Sequence, residues 1–250
     1  MEKEIEGLII DKVKSLDRSD LFRDPIVAFS SAKDKRYEDL KEIIGDWHQN
    51  PNEILANAKS VISYFVPFTE RVVKEPLTVE KGSPLWSESY VVINEYFNHI
   101  NDEIIKYLVS KAYSAKDIPP THTYDPKVLK STWSHRSAAA IAGLGEFGLN
   151  RMLITDKGCG GRYATVITSA QLESREVSLD NQCLYMKNES CTLCVDICPA
   201  GALTLDSNFD KFACQDILFE NRDLMKESHN IKAADTCGKC LSVCPVVYKE

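Results

Sequence analysis

CLYMKNESCTLCVDICPAGAL, residues 183–203, decides how this chain is read. Its cysteines are spaced C-x7-C-x2-C-x3-C-P, and CGKCLSVCPV (237–246) repeats C-x2-C-x3-C-P after an isolated Cys214. The 250 residues contain 9 cysteines, and all but Cys159 fall between positions 183 and 244. The N-terminus, MEKEIEGLIIDK, has charges scattered through every apolar run and is no secretory signal. Disulfide scaffolds belong to oxidising compartments, so cysteines clustered in a chain without export features point to metal.

Zinc knuckles built from C-x2-C pairs give no reason for Cys-Pro to recur at the same offset. Cubane iron–sulfur clusters do. Short C-x2-C loops gather thiolates onto one inorganic body, and the cysteine before proline turns away to serve the other cluster. That rule assigns Cys183, Cys191, Cys194 and Cys244 to cluster one, and Cys198, Cys214, Cys237 and Cys240 to cluster two. Two [4Fe–4S] clusters use all eight. In a regular run the leading cysteine would stand at Asn188; Cys183 lies five residues earlier and has to reach in across YMKNES. Cys159, in KGCGGR, stands outside the count.

The rest of the chain is ordinary soluble protein, 44% hydrophobic and 27% charged. The stripe Ile5, Leu8, Ile9, Val13, Leu16 predicts a helix over 3–16. PIVAF (25–29) and SVISYFV (60–66) read as strands with a helix, RYEDLKEII, between them. Ser83-Pro84 starts a long helix whose buried face is Ile93, Phe97, Ile100, Ile104 and Leu108. SHRSAAAIAGLG (134–145) is a helix capped by Ser134 and ended by glycine, and MLIT (152–155) and RYATVITSA (162–170) are strands. KDIPPTHTYDP (116–126) reads as a loop, and ESREVSLDN (173–181) as a lead into a second domain. The expected organisation is an α/β or α+β domain over 1–175 and a ferredoxin-like domain over 176–250. A net charge of -7 argues against nucleic acid and anionic membranes as partners. The longest apolar stretch, SVISYFVPF (60–68), is too short to span a bilayer, and the expectation is a cytoplasmic protein.

GLGEFG (143–148) fits the G-x-G-x-x-G pattern, but no strand precedes it and no helix follows. It therefore fails as a dinucleotide fingerprint and reads as a tight glycine turn.

The order AKSVISYFVPF, WSHRSAAAIAGLGEFGLNRMLIT, GCGGR and the cysteine tail resembles the epoxyqueuosine reductase family, relatives of the reductive dehalogenases. Its most specific part is R-x-x-A-x-x-A-G-L-G-x-x-G-x-N-x-x-L-I, matched from Arg136 to Ile154. The resemblance implies a nitroreductase-like N-terminal domain that holds cobalamin against the ferredoxin domain. Electrons would pass from a donor such as a ferredoxin or flavodoxin through two clusters to cobalt, forming cob(I)alamin, which reduces a small or corrinoid-bound substrate. Arg136, Gly143, Leu144, Gly145 and Gly148 would then lie by the corrinoid. Two departures stand out. Family reductases carry an aspartate, the proton donor, seven residues before the arginine; here that position is Leu129, with Asp125 nearby. The residue before the arginine is His135 rather than glutamate, so His135 and Asp125 are the candidate proton donors. The long C-terminal extension of full-length family members is also absent, which argued with the charge against an RNA-borne substrate. An electron-transfer or activator protein without bond chemistry of its own is the alternative, and a flavin enzyme a third reading.

Overall fold

The computed structural model describes residues 1–119, 124–125, 127–174, 182–206 and 208–250. The chain opens with helix α1 (Glu2–Ser15), whose Ile5, Ile9 and Val13 are buried, and enters strand β1 (Ile26–Ser31). Helices α2 (Arg36–Ile43) and α3 (Pro51–Ile54) lead to β2 (Ser60–Pro67), all eight residues of which are buried. After α4 (Glu70–Lys74) comes the long helix α5 (Pro84–Ser110), then β3 (Ala115–Asp117). Two short pairs follow, β4 (Tyr124–Asp125) with β5 (Lys130–Ser131) and, after α6 (His135–Ile141), β6 (Gly145–Phe147) with β7 (Leu153–Thr155). Strand β8 (Gly161–Thr168) completes an antiparallel sheet of order β1-β2-β8-β3.

Strand periodicity explains the layers. In β2, Ile62, Tyr64 and Val66 point into one core with α1 and α5, while Val61 and Phe65 point into the cores beneath α2 and α6. A strand covered by helices on both faces is apolar throughout, which is why SVISYFVP reads as a continuous hydrophobic run. The stripe of α5, Ile93 to Leu108, is fully buried. Truncating one of these side chains to alanine costs about 2–5 kcal/mol.

The sequence expectations for α1, α2, α5, α6, β1, β2, β7 and β8 agree with these elements. Three details differ. Ser83 makes no side-chain cap on α5; Glu75 takes that role, accepting from Leu85 N at 2.8 Å, Trp86 N at 3.2 Å and the Ser83 hydroxyl. The expected loop 116–126 overlaps β3 and β4, short strands that borrow their order from pairing with β8 and β5. GLGEFG is partly a strand, since Gly145–Phe147 pairs with Leu153–Thr155. The expected boundary near residue 175, within ESREVSLDN, lies outside the described residues. No described helix is long and apolar enough to cross a membrane.

The C-terminal part holds α7 (Leu184–Asn188), α8 (Leu193–Asp196), α9 (Lys211–His229) and α10 (Lys239–Ser242). It docks on the segment around α4 and α5. Lys239 Nζ donates to Pro76 O (3.0 Å) and Val79 O (2.8 Å), Asn221 Oδ1 accepts from Gly82 N (3.1 Å), and the Ser87 and Thr236 hydroxyls meet at 2.7 Å. Arg23 fastens the other side. Its guanidinium donates to the Phe68, Lys157 and Lys249 carbonyls and lies 4.2 Å from the Tyr248 ring centroid. Arg23→Met leaves three carbonyls without that donor, and thermal or denaturant unfolding should show a loss of about 2–4 kcal/mol.

Candidate iron–sulfur centre and adjoining cleft

The first cysteine quartet lines one cavity. Cys183, Cys191, Cys194 and Cys244 surround a space of about 370 Å³ closed by Asn150, Ile154, Leu184, Leu193 and Val246. The gap before Cys191 is bridged locally. Cys183 caps α7, a single short turn, and Glu189 at φ 59 reverses the chain, so the intervening residues fold back instead of extending. Burial, then the charges of Cys244, Cys183 and Cys191, push the Cys194 thiol up to about 11.

The second quartet is grouped by the same kind of interaction. Burial followed by Cys237 and Cys198 pushes Cys214 up to about 11, and burial followed by Cys237, Cys214, Cys198 and Cys194 pushes Cys240 up to about 12. Cys198 and Cys214 are carried in by the loop after α8 and by the first turn of α9. Asp210 caps α9 by accepting from Phe212 N (3.1 Å) and Ala213 N (3.0 Å). Thiols packed this way resist ionisation unless a cation compensates, so binding a metal cluster and losing protons go together. Backbone donors already point at the sulfurs: Leu149 N reaches Cys183 Sγ at 3.5 Å and Ala202 N reaches Cys198 Sγ at 3.3 Å. Among the described residues no three His, Cys, Asp or Glu side chains converge on a single-ion site. Zinc needs four sulfurs about 2.3 Å from one point, whereas each thiolate of a cubane binds a different iron.

An open cleft is lined by β5, α6 and the start of β8, with Lys211 of α9 among its residues. Its wall includes Leu129, Trp133, His135, Arg136, Arg162 and Tyr163, with Lys130 and Lys211 at the edge. No carboxylate is among the described residues of that wall. Arg136 lines the cleft and its Nη1 donates to Arg151 O at 3.0 Å. Partial burial lowers the pKa of Arg162, which lies 4.5 Å from the Tyr90 ring centroid and donates to Asn94 Oδ1 at 3.1 Å.

Several sequence expectations need correction here. His135 is not a proton donor poised near neutrality. Burial pushes its pKa down to about 4, the Arg162 charge acts the same way, and a hydrogen bond to the Pro119 backbone opposes them. Its Nδ1 meets Thr165 Oγ1 at 2.8 Å, and Thr165 also accepts from Trp133 Nε1 at 2.9 Å. The ring is therefore neutral and tethered at pH 7. Asp125 does not line the cleft. Its Oδ1 accepts from Lys127 N at 2.8 Å and its carbonyl from Leu129 N at 2.7 Å, so the residue builds an exposed turn. Leu129 itself does face the cleft.

Gly143, Leu144, Gly145 and Gly148 are also absent from the cleft wall. Gly143, at φ 82, ends α6: Gly143 N donates to Ala140 O and Leu144 N to Ala139 O, the paired bonds of a left-handed helix cap. Leu144 is buried with Ala139 and Leu153. A Cβ at Gly145 would stand 2.2 Å from Ile154 O, and one at Gly148 would face Ile154 and Cys183, so both sit toward cluster one. The residues missed from sequence are Arg162, Lys130 and Lys211. Arg162 carried a signal, as a charge opening the apolar strand RYATVIT; the two lysines carried none.

Comparison with known proteins agrees with the cysteine reading. Residues 188–247 match a family described as a 4Fe-4S double cluster binding domain, and Cys183 lies just outside that match. The chain is 27% identical to an epoxyqueuosine reductase of Bacillus anthracis over 210 residues, covering 78% of this chain and 50% of that protein. It is 24% identical to the Staphylococcus aureus epoxyqueuosine reductase over 235 residues, 84% of this chain and 58% of that one. The chain thus spans about half the length of the curated relatives it matches. The fold is shared with the Streptococcus thermophilus epoxyqueuosine reductase (TM-score 0.61, 17% identity, 100% of this chain and 68% of that one). It is shared too with an epoxyqueuosine reductase solved with an epoxyqueuosine-modified tRNA-Tyr stem loop (TM-score 0.60, 21% identity, 98% of this chain and 66% of that one).

That last structure overturns the expectation that nucleic acid is an improbable partner. The charge argument failed because -7 is a sum over the whole chain. The cleft gathers Arg136, Arg162, Lys130 and Lys211, and local potential rather than net charge meets a ligand. In fold, in sequence and in its match to a 4Fe-4S binding domain, this chain is similar to the epoxyqueuosine reductases.

Proposed function

We propose that the chain is an iron–sulfur reductase that carries electrons through two [4Fe–4S] clusters to a ligand in the cleft. The observation that supports it most is the convergence of Cys183, Cys191, Cys194 and Cys244 around one space, in a chain whose residues 188–247 match a 4Fe-4S double cluster binding domain. Cys183, Cys191, Cys194 and Cys244 hold one cluster; Cys198, Cys214, Cys237 and Cys240 hold the other. Residues 1–175 form a nitroreductase-like domain and 176–250 the ferredoxin-like one.

The cleft is open, and Arg136, Arg162 and Lys211 on its wall would face the amide and phosphate oxygens of a corrinoid. Bound there, cobalamin would supply the redox-active metal for substrate reduction. The protein's own residues bind, orient and insulate. The cationic wall receives phosphate, the neutral His135 fixes Thr165 and Trp133, and Tyr163, which donates to Leu153 O at 2.9 Å and stacks on Phe65, closes the floor. The substrate class is a phosphate-bearing one, such as a modified base carried on an RNA stem loop. Leu129 in the cleft favours a second reading, electron delivery to a partner without bond chemistry.

Anaerobic reconstitution, iron counting and titration with cob(II)alamin followed by electron paramagnetic resonance test the first reading. About eight irons and a changed cobalt signal support it; an unchanged cobalt signal removes the corrinoid. For the RNA, binding of an epoxyqueuosine stem loop should weaken with salt. Lys211→Ala and Lys130→Ala should each reduce the slope of log K against log salt by about 1. Salt-independent binding, or slopes equal to wild type, would remove the lysines from the interface.

A further inference from the structure

The stretch GDWH (45–48), between α2 and α3, belongs neither to the cysteine quartets nor to the cleft wall, yet it holds a tryptophan at the surface. His48 N donates to Gly45 O at 2.9 Å and closes a turn, and Gln49 N donates to Thr132 O at 2.9 Å and ties that turn to the chain just after β5. The last two side chains of the turn go opposite ways. His48 is buried and stacks on Trp133 of the cleft wall, with ring centroids 5.8 Å apart and planes at 20°. Trp47 is 39% exposed, whereas Trp86 and Trp133 are 5% and 4% exposed. Gly45 makes room for the outward indole. It has φ +140, and a Cβ there would run into the ring of Trp47.

A large apolar ring left in water is unfavourable, and this one is held in place rather than loose. Lys130 Nζ lies 3.8 Å from its ring centroid, and Lys130 is itself part of the cleft wall. The same rim carries Tyr124, also 39% exposed and also part of the wall, paired with Ser131 while Asp125 pairs with Lys130. Two exposed aromatic rings therefore flank one lysine at the mouth of a cleft whose floor holds Arg136 and Arg162. Asp46 and Asp125 stand on the same rim, so charge alone does not make it a phosphate strip. Aromatic faces interleaved with cations suit an unpaired nucleotide strand: bases stack on the rings and phosphates meet the cations. Lys130 belongs to both features, so a strand that leaves the cleft past Lys130 meets the indole next. We propose that Trp47 is a stacking platform for an unpaired base that neighbours the nucleotide held in the cleft. The proposal rests on the RNA-borne substrate class proposed above.

The test uses the reconstituted full chain and stem-loop RNAs carrying 2-aminopurine, a fluorescent base dimmed by stacking, at each unpaired position in turn. Wild type, Trp47→Phe and Trp47→Leu are compared. One loop position should dim on binding to wild type and to the phenylalanine variant, which keeps an aromatic face, but not on binding to the leucine variant. Leucine should weaken binding by about 5- to 100-fold, the usual worth of one stacked base. The slope of log K against log salt should not change, because the side chain removed is neutral. Equal affinity and equal emission for the phenylalanine and leucine variants overturn the proposal. So does a leucine variant whose salt slope falls while no loop position changes its emission, since Trp47 would then only seat Lys130. Failure of the wild-type chain to bind the stem loop at all is a different result: it removes the RNA reading of the cleft, and this inference with it.

Discussion

On the reductase reading proposed above, Leu129→Asp is expected to raise the rate of epoxide reduction by about 10²–10⁴-fold, the usual contribution of one well-placed general acid. The assay is conversion of an epoxyqueuosine-containing RNA stem loop by the reconstituted protein under anaerobic reduction. Leu129 faces the cleft at the place where the family resemblance puts an aspartate. No carboxylic acid is among the described residues of the cleft wall: His135 is tethered to Thr165, and Asp125 is spent on its turn. The backbone also favours the change. Leu129 has φ 49, a left-handed conformation that aspartate tolerates better than leucine. Leu129→Asn shares that preference and has no acid, so it should fold equally well and gain nothing. If the aspartate variant is no faster than the asparagine variant, proton supply at this position is not what limits the chain, and the electron-transfer reading gains.

Cys183→Ala is expected to convert cluster one into a three-iron cluster. Iron content should fall from about eight to about seven per chain, with a new three-iron resonance signal, because three protein thiolates remain around the cavity. Cys183 is the ligand furthest from a regular ferredoxin spacing, and it reaches the cavity only through the turn of α7 and the left-handed Glu189. Retention of eight irons with no new signal would mean that Cys183 is not a ligand and that another group holds the fourth iron. Cys240→Ala, by contrast, should leave cluster one intact and disturb cluster two, since Cys240 is grouped with Cys198, Cys214 and Cys237.

Much of the architecture was legible before any coordinates. Long-period features survive in a linear reading: the apolar run of β2, the stripe of α5, and the glycine that ends α6. Short strands were not legible. β3 has three residues and β4 two, and each exists only because β8 or β5 lies alongside to take its hydrogen bonds. The cap on α5 was misread for a similar reason. Serine before proline is a good local signal, but Glu75 arrives from a preceding turn and satisfies the same amides.

The site divides along the same line. By itself the sequence pointed to iron–sulfur binding by its clustered cysteines, because ligand spacing is a property of the chain and a cubane tolerates few spacings. It also determined that the family's acid position holds leucine. Only the tertiary structure decided that His135 is neutral, that Asp125 faces away, and that the glycines of GLGEFG pack on Ile154 rather than a cofactor. It alone brought Arg136, Arg162, Lys130 and Lys211 from four separate segments to one cleft. Ionisation and field depend on what surrounds a group in space. The residues that surround these groups are distant in sequence, and no local pattern records them.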